Sequence, residues 1–249
     1  LALTHNGNLT NTRELMEAVR ATSGEDLTGE LGRGSSTDTA VIAALMNLVS
    51  EHGRLAARDG SAVIPGTGGP AADPDADLYL DDPDDPGAHP LGAARSAPLT
   101  VSQAARRVLP MLRGAFSLVF MDEHTLYAAR DPHGVRPLVL GRLERGWVVA
   151  SETAALDIVG ASPVREIEPG EMIEIDADGV RTTRFARPRR SGCVFEYVYL
   201  ARPDTKIAGR SIIASRNAMG AALAREHPVE ADLVIATPES GTPAAIGYA

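Results

Sequence analysis

The chain has 249 residues, enough for one large domain or one domain and part of another, and its 44% hydrophobic and 23% charged content is ordinary for a globular protein. A formal net charge of −9 argues against nucleic-acid binding as the main business, despite a basic cluster at residues 187–190. One cysteine, Cys193, rules out an internal disulfide framework and fits a reducing, cytoplasmic compartment; no run approaches membrane-spanning length, and no signal peptide is expected.

Leu1 is not an initiator methionine, an apolar segment starts at once, and residues 246–249 stop inside what reads as the start of a helix. An internal segment of a longer protein is therefore expected. Residues 3–9, Leu-Thr-His-Asn-Gly-Asn-Leu, read as a short strand running into an Asn6-Gly7 turn. A helix follows, with Asn11 as its cap, Glu14 as the reciprocal partner of a capping box, and Leu15, Met16 and Val19 on its apolar face. Ser35-Ser36-Thr37-Asp38 reads as the hydroxyl-capped, acidic start of a second helix carrying Val41, Ile42, Leu45 and Met46.

Residues 56–98 break this pattern. They hold seven of the 17 prolines and seven aspartates between Asp73 and Asp85, with few apolar anchors. The composition predicts a disordered or loosely held acidic insert. Pairs such as Asp81-Asp82 could bind a divalent ion, but solvated carboxylates on Pro-broken chain are the simpler reading.

Order resumes at Thr100, which can cap a helix with Gln103 as its box partner, Ala105, Val108, Leu109 and Leu112 lying along one face. Four apolar runs of strand length follow: residues 115–120, 126–129, 138–140 and 147–150. Their near-continuous apolar character suits strands covered on both faces, and their short connections suit antiparallel pairing. One connection, Arg130-Asp131-Pro132-His133-Gly134-Val135-Arg136-Pro137, carries two arginines, an aspartate and a histidine. Its residues alone favour a rigid turn with surface charges over a loop facing a site. Residues 172–175 and 180–185 flank Asp176-Ala177-Asp178-Gly179, a hairpin signal. The basic, Pro-containing stretch 184–191 reads as a domain boundary. Beyond it, residues 193–200 read as a strand, 211–227 as a helix with Ile212, Met219 and Leu223 on one stripe, and 233–236 as a short buried strand. Thr237 to Pro243 then turns into a helix beginning near Ala244, an arrangement that can hold an anion.

Three segments in this order resemble the glutaminase domain of glutamine phosphoribosylpyrophosphate amidotransferases: Arg-Asp-Pro-x-Gly-Val-Arg-Pro-Leu from Arg130, Ala-Ser-Glu-Thr-Ala-Ala-Leu-Asp at 150–157, and Glu-Pro-Gly-Glu at 168–171. The resemblance extends over nearly the whole chain apart from the insert. It implies an α+β chain: an Ntn-hydrolase αββα sandwich, incomplete, over residues 1–186 with the insert at 56–98, then the start of an α/β type I phosphoribosyltransferase domain over 187–249.

The resemblance also implies roles. In the family an N-terminal cysteine attacks the glutamine amide, its own α-amino group serving as base, and the ammonia displaces pyrophosphate from phosphoribosylpyrophosphate to give phosphoribosylamine, the first step of purine synthesis. Asn6 and Gly7 match the oxyanion hole. Asp38 matches the aspartate that binds the glutamine α-amino group; capping is its plain alternative. The nucleophile and the arginine that holds the glutamine carboxylate are expected upstream of Leu1. Ser240 matches a serine assigned to Mg²⁺. Cys193 matches the first ligand of a [4Fe–4S] cluster found in one branch of the family, against the plain reading of a small core side chain. Partners implied are glutamine, phosphoribosylpyrophosphate, inhibitory purine nucleotides and further copies of the chain in a homo-oligomer, with no nucleic acid or membrane. Two alternatives compete: another class II glutamine amidotransferase, and a non-enzymatic phosphoribosylpyrophosphate-sensing regulator.

Overall fold

The computed structural model describes residues 1–24, 37–52, 55–56, 62–63 and 98–249. The hydroxyl cap at Ser35-Ser36 and nearly all of the acidic insert lie outside the described residues. The chain forms two compact units, one of residues 1–136 and 168–190, the other of 137–167 and 191–249.

The first unit is built on a five-stranded antiparallel sheet in the order β1 (Ala2–Leu9), β4 (Gly114–Met121), β5 (Leu126–Arg130), β9 (Glu171–Asp176), β10 (Gly179–Arg184). A two-residue pair, β2 (Leu55–Ala56) and β3 (Ala62–Val63), lies outside it. Side chains alternate across the sheet. Phe116, Leu118 and Phe120 of β4 join a core with Leu15 and Val19 of α1 (Thr12–Ser23), Val41, Ile42 and Leu45 of α2 (Thr37–His52), and Ala105 and Val108 of α3 (Val101–Val108). The apolar helix faces read from sequence are therefore the ones buried. Pro110 ends α3 in a short 3₁₀ turn, Leu109–Met111, whose Leu109 is also in the core.

The second unit holds a three-stranded antiparallel sheet in the order β7 (Gly146–Ala150), β6 (Val139–Leu143), β8 (Ser162–Glu166); Leu156 of α4 (Thr153–Ile158) and Ala161, just before β8, pack with Val139. Further on come a hairpin of β11 (Lys206–Ile207) and β12 (Arg210–Ser211), then α5 (Ile212–Glu226) and α6 (Thr242–Tyr248).

Several expectations need correction. The strand run splits after β5: β5 pairs with β4 and β9, and β6 with β7 and β8, so the 131–137 connection leaves one sheet for another. Asn6-Gly7 is no turn, because both residues lie inside β1, opposite Ser117 and Phe116. Residues 196–200 form a short π-helical turn rather than a strand; buried Arg216 of α5 donates to the carbonyls of Tyr197 at 2.7 Å and Ala201 at 2.8 Å, which satisfies the end of a helical turn. Residues 233–236 form no strand, and Leu233 and Ile235 are 72% and 81% exposed. The stripe on α5 is buried only at Ile212, with Leu223 exposed.

Two helix starts read alike in sequence but differ in structure. Thr100 caps α3 through a complete capping box with Gln103. Asn11 makes no side-chain cap on α1. Its amide nitrogen donates to the Met111 carbonyl at 2.9 Å and its oxygen accepts from the Arg113 N–H at 3.0 Å, while Glu14 faces Arg113 at 3.5 Å. Asn11 thus ties α1 to the turn that leads into β4. Thr100→Ala should cost about 1 kcal/mol, the loss of one cap, and Asn11→Ala roughly 2–3 kcal/mol, because two backbone groups lose their partner in a buried place. Urea unfolding of the two variants separates these; equal losses would return Asn11 to a simple cap.

Candidate active site

The Asn6-Gly7 pair, the Ser117 stretch of β4 and the Arg130–Arg136 loop meet in the first unit. Directly opposed residues of antiparallel strands share a face, and Asn6 lies opposite Ser117, which lies opposite Arg130. These three form one row across β1, β4 and β5, on the face opposite Phe116 and its helices. Gly7 is required for the geometry: its φ is +154°, and a Cβ there would sit 2.0 Å from the Ala115 carbonyl oxygen.

The loop is clamped from inside. Asp131 is fully buried, with 0% exposure. Its carboxylate accepts the backbone N–H of Phe116 at 3.2 Å, of His133 at 2.8 Å and of Val135 at 3.2 Å. Burial pushes its carboxyl above the usual aspartate range, and the main-chain hydrogen bonds pull the other way. Arg130, also buried, donates through Nε to the Arg136 carbonyl at 2.8 Å and through Nη2 to the Gly134 carbonyl at 2.9 Å. Ser117 Oγ donates to the same Arg136 carbonyl at 3.1 Å. Gly134, at φ +63°, lies so close to Pro169 that a Cβ would reach 2.7 Å from its ring. The surface-charge reading of this loop is overturned for Arg130 and Asp131, whose charges point inward to close the loop on β4. Arg136 Nε reaches the Asn6 side-chain oxygen at 3.2 Å.

Asp38 lies at the start of α2. Its carboxylate accepts the Leu9 N–H at 2.9 Å and the Thr12 hydroxyl, so it fastens the end of β1 to the start of α1. His5 of β1 feels its charge, which raises the imidazole, but burial is the larger effect and lowers it. The structure thus brings Asn6, Gly7 and Asp38 to one strand and its end. Cys193 and Ser240 belong to the second unit. Cys193 is partly exposed, and its carbonyl accepts the Glu196 N–H at 3.2 Å. Ser240 is half-buried in the turn before α6. Among the described residues no group of three or more His, Cys, Asp or Glu side chains could hold a metal. A [4Fe–4S] cluster needs four thiolates and this sequence holds one, so these residues alone do not fit it. No helix of the described residues is long and apolar enough to cross a membrane. The residue missed in sequence is Ser117; Arg136 is read there only as one charge of the loop. Ser117 is a hydroxyl inside an apolar strand run, a signal for a partnered polar group; nothing in the sequence tied Arg136 to Asn6.

A family profile described as a glutamine amidotransferase domain matches residues 94–158, which include β4, β5 and the Arg130–Arg136 loop. Within that class the chain is a homologue of the amidophosphoribosyltransferases. It is 53% identical to that of Mycobacterium leprae over all 249 residues, 36% of the relative's length. It is 73% identical to that of Mycobacterium tuberculosis over 158 residues, 64% of this chain and 29% of the relative. A solved Bacillus subtilis glutamine phosphoribosylpyrophosphate amidotransferase, complexed with ADP and GMP, shares the fold at a TM-score of 0.72 and 34% identity, over 99% of this chain and 43% of its own. The expected α+β class with an Ntn-type glutaminase fold stands. The chain spans about a third of the length of the curated relatives it matches.

Because the native Asp131 carboxyl holds its proton more tightly than an unfolded aspartate, its contribution is largest below the unfolded value of 3.8 and is lost as pH rises through the native one. Asp131→Asn should lower stability by roughly 2–3 kcal/mol, since an amide cannot accept the same main-chain N–H groups. The gap between the two proteins should narrow as pH rises above 3.8. Urea titrations across the acid range measure both; a gap that widens with pH would contradict the raised carboxyl.

Proposed function

We propose that this chain is part of an amidophosphoribosyltransferase, which releases ammonia from glutamine and transfers it to phosphoribosylpyrophosphate to give phosphoribosylamine, glutamate and pyrophosphate. The single observation that carries this reading is the Asn6-Gly7 pair, fixed in β1 by its pairing with β4 and by Arg136, within a chain homologous along its length to those enzymes. In this role the Asn6 side-chain amide and a main-chain N–H stabilise the oxyanion that forms when a nucleophile adds to the glutamine amide. Asp38 binds the substrate's α-amino group; its two carboxylate oxygens already accept two protein donors but retain further lone pairs. The nucleophile is an N-terminal cysteine outside these residues. The glutaminase domain covers residues 1–186 and the phosphoribosyltransferase domain begins at 187. Purine nucleotides, found with the Bacillus subtilis relative, are the inhibitors, and the working form is a cytoplasmic homo-oligomer.

Ser240 is the residue proposed for Mg²⁺, which when bound would neutralise the pyrophosphate leaving group. Cys193 is one of four cluster thiolates, the other three coming from outside this sequence. Both assignments rest on the matching segments and on the accessibility of these side chains.

In the active enzyme containing these residues, Asn6→Ala should reduce glutamine-dependent turnover by roughly a hundredfold or more, the usual loss for one oxyanion donor. Turnover with free ammonia should survive, because it bypasses the amide-cleaving site. A parallel fall in both would make Asn6 structural.

Enzyme purified without oxygen should be brown and contain iron, and Cys193→Ser should bleach it. Colourless, iron-free and fully active wild-type enzyme would return Cys193 to a packing role.

A further inference from the structure

We propose that Arg136 is a positioning residue that fixes the amide plane of Asn6 with its nitrogen toward the substrate. The inference rests on the reading of Asn6 as an oxyanion donor. A primary amide has two nearly isosteric ends, and only the nitrogen end can donate to an oxyanion. A guanidinium has donors and no acceptor, so the end of Asn6 that faces Arg136 Nε at 3.2 Å must be its oxygen. That contact decides which way the amide points. An amide turned the other way would set its own oxygen against the developing negative charge and an N–H against a guanidinium.

Arg136 can do this because its own backbone is held by the row that contains Asn6. The Arg136 carbonyl accepts Ser117 Oγ at 3.1 Å and Arg130 Nε at 2.8 Å. Ser117 lies opposite both Asn6 and Arg130 in the sheet register. Asp131, five residues earlier, accepts the N–H of Phe116, whose partner across the ladder is Gly7. Every residue of the row therefore touches Arg136, and the loop that carries it is clamped to the strand segment that pairs with the oxyanion residues. A mere turn would not need its last residue gripped from two strands while reaching a third.

The test uses the active enzyme containing these residues and compares Arg136→Met, which keeps length without a donor, with Arg136→Lys, Asn6→Ala and the double variant Asn6→Ala/Arg136→Met. Arg136→Met should lower glutamine-dependent kcat by roughly tenfold to a hundredfold, with KM for glutamine within about twofold and ammonia-dependent turnover unchanged. Arg136→Lys should recover part of the loss, because an ammonium also only donates. The double variant should be no slower than Asn6→Ala, since Arg136 acts through Asn6. A full kcat in Arg136→Met beside a loss in Asn6→Ala would overturn the positioning role while leaving the oxyanion reading intact. Additive losses in the double variant, a rise in KM alone, or a matching fall in ammonia-dependent turnover would overturn it too, the last by showing a structural role. An Asn6→Ala variant with intact glutamine turnover would remove the oxyanion reading and this inference with it.

Discussion

The first unit depends on one buried carboxyl group, that of Asp131. Withdrawing a carboxylate from water costs several kcal/mol unless its lone pairs are filled, and Asp131 is wholly withdrawn. Its compensation is main-chain: N–H groups of its own loop and of Phe116 in β4. Hydrogen bonds to a charged acceptor are worth about 1.5–3 kcal/mol each, so three of them offset much of the burial but not all of it, and the carboxyl stays above the usual aspartate range. The consequence is geometric. Donors two and four residues along the loop, and one on another strand, can converge on a single carboxylate only if the loop folds back over β4. That fold brings Arg136 to the Asn6 row.

The same clamp explains why β5 does not pair with the next strand in sequence. β5 hands the chain to the loop at Arg130, whose carbonyl, like that of Asp131, accepts the Gly170 N–H. The place beside β5 is then taken by β9, not by the next strand in sequence. A short connection predicts a hairpin only when its residues are free to turn; here they are occupied in binding a carboxylate.

Much of the fold was legible because apolar periodicity reports burial directly. The runs at 115–120, 126–129 and 172–175 became β4, β5 and β9, and the helix faces at Leu15, Val41 and Val108 became the core. The failures have physical causes. Asn11 satisfies the composition of a capping box, yet a long-range pair of backbone groups near residue 112 competes for its amide and wins. The apolar segment from Cys193 holds β-forming residues, but Arg216 supplies donors to its carbonyls and a helical turn results. Residues 233–236 read as buried, whereas among the described residues no strand pairs with them. At the candidate site, Asn6, Gly7 and Asp38 could be named from matching segments. The link from Arg136 to Asn6 spans 130 positions and exists only through the register of three strands, which no local pattern encodes.

The two arginines of the loop carry similar charge but different duties, and guanidinium geometry accounts for both. Arg130 donates from Nε and Nη2 at once, to carbonyls two residues apart in one loop. A lysine ammonium is a compact point on a flexible stem and cannot present two fixed donors in a plane. Arg130 thereby gives the loop its shape, and Arg136 transmits that shape to Asn6 through its Nε–H. Orientation of the amide is thus set by a relay of directed donors, from buried Arg130 and Ser117 to the Arg136 backbone and from the Arg136 side chain to Asn6. A hydrophobic contact could place Asn6 in the same volume, but it could not choose between the amide's two ends, because only a directed hydrogen bond tells oxygen from nitrogen.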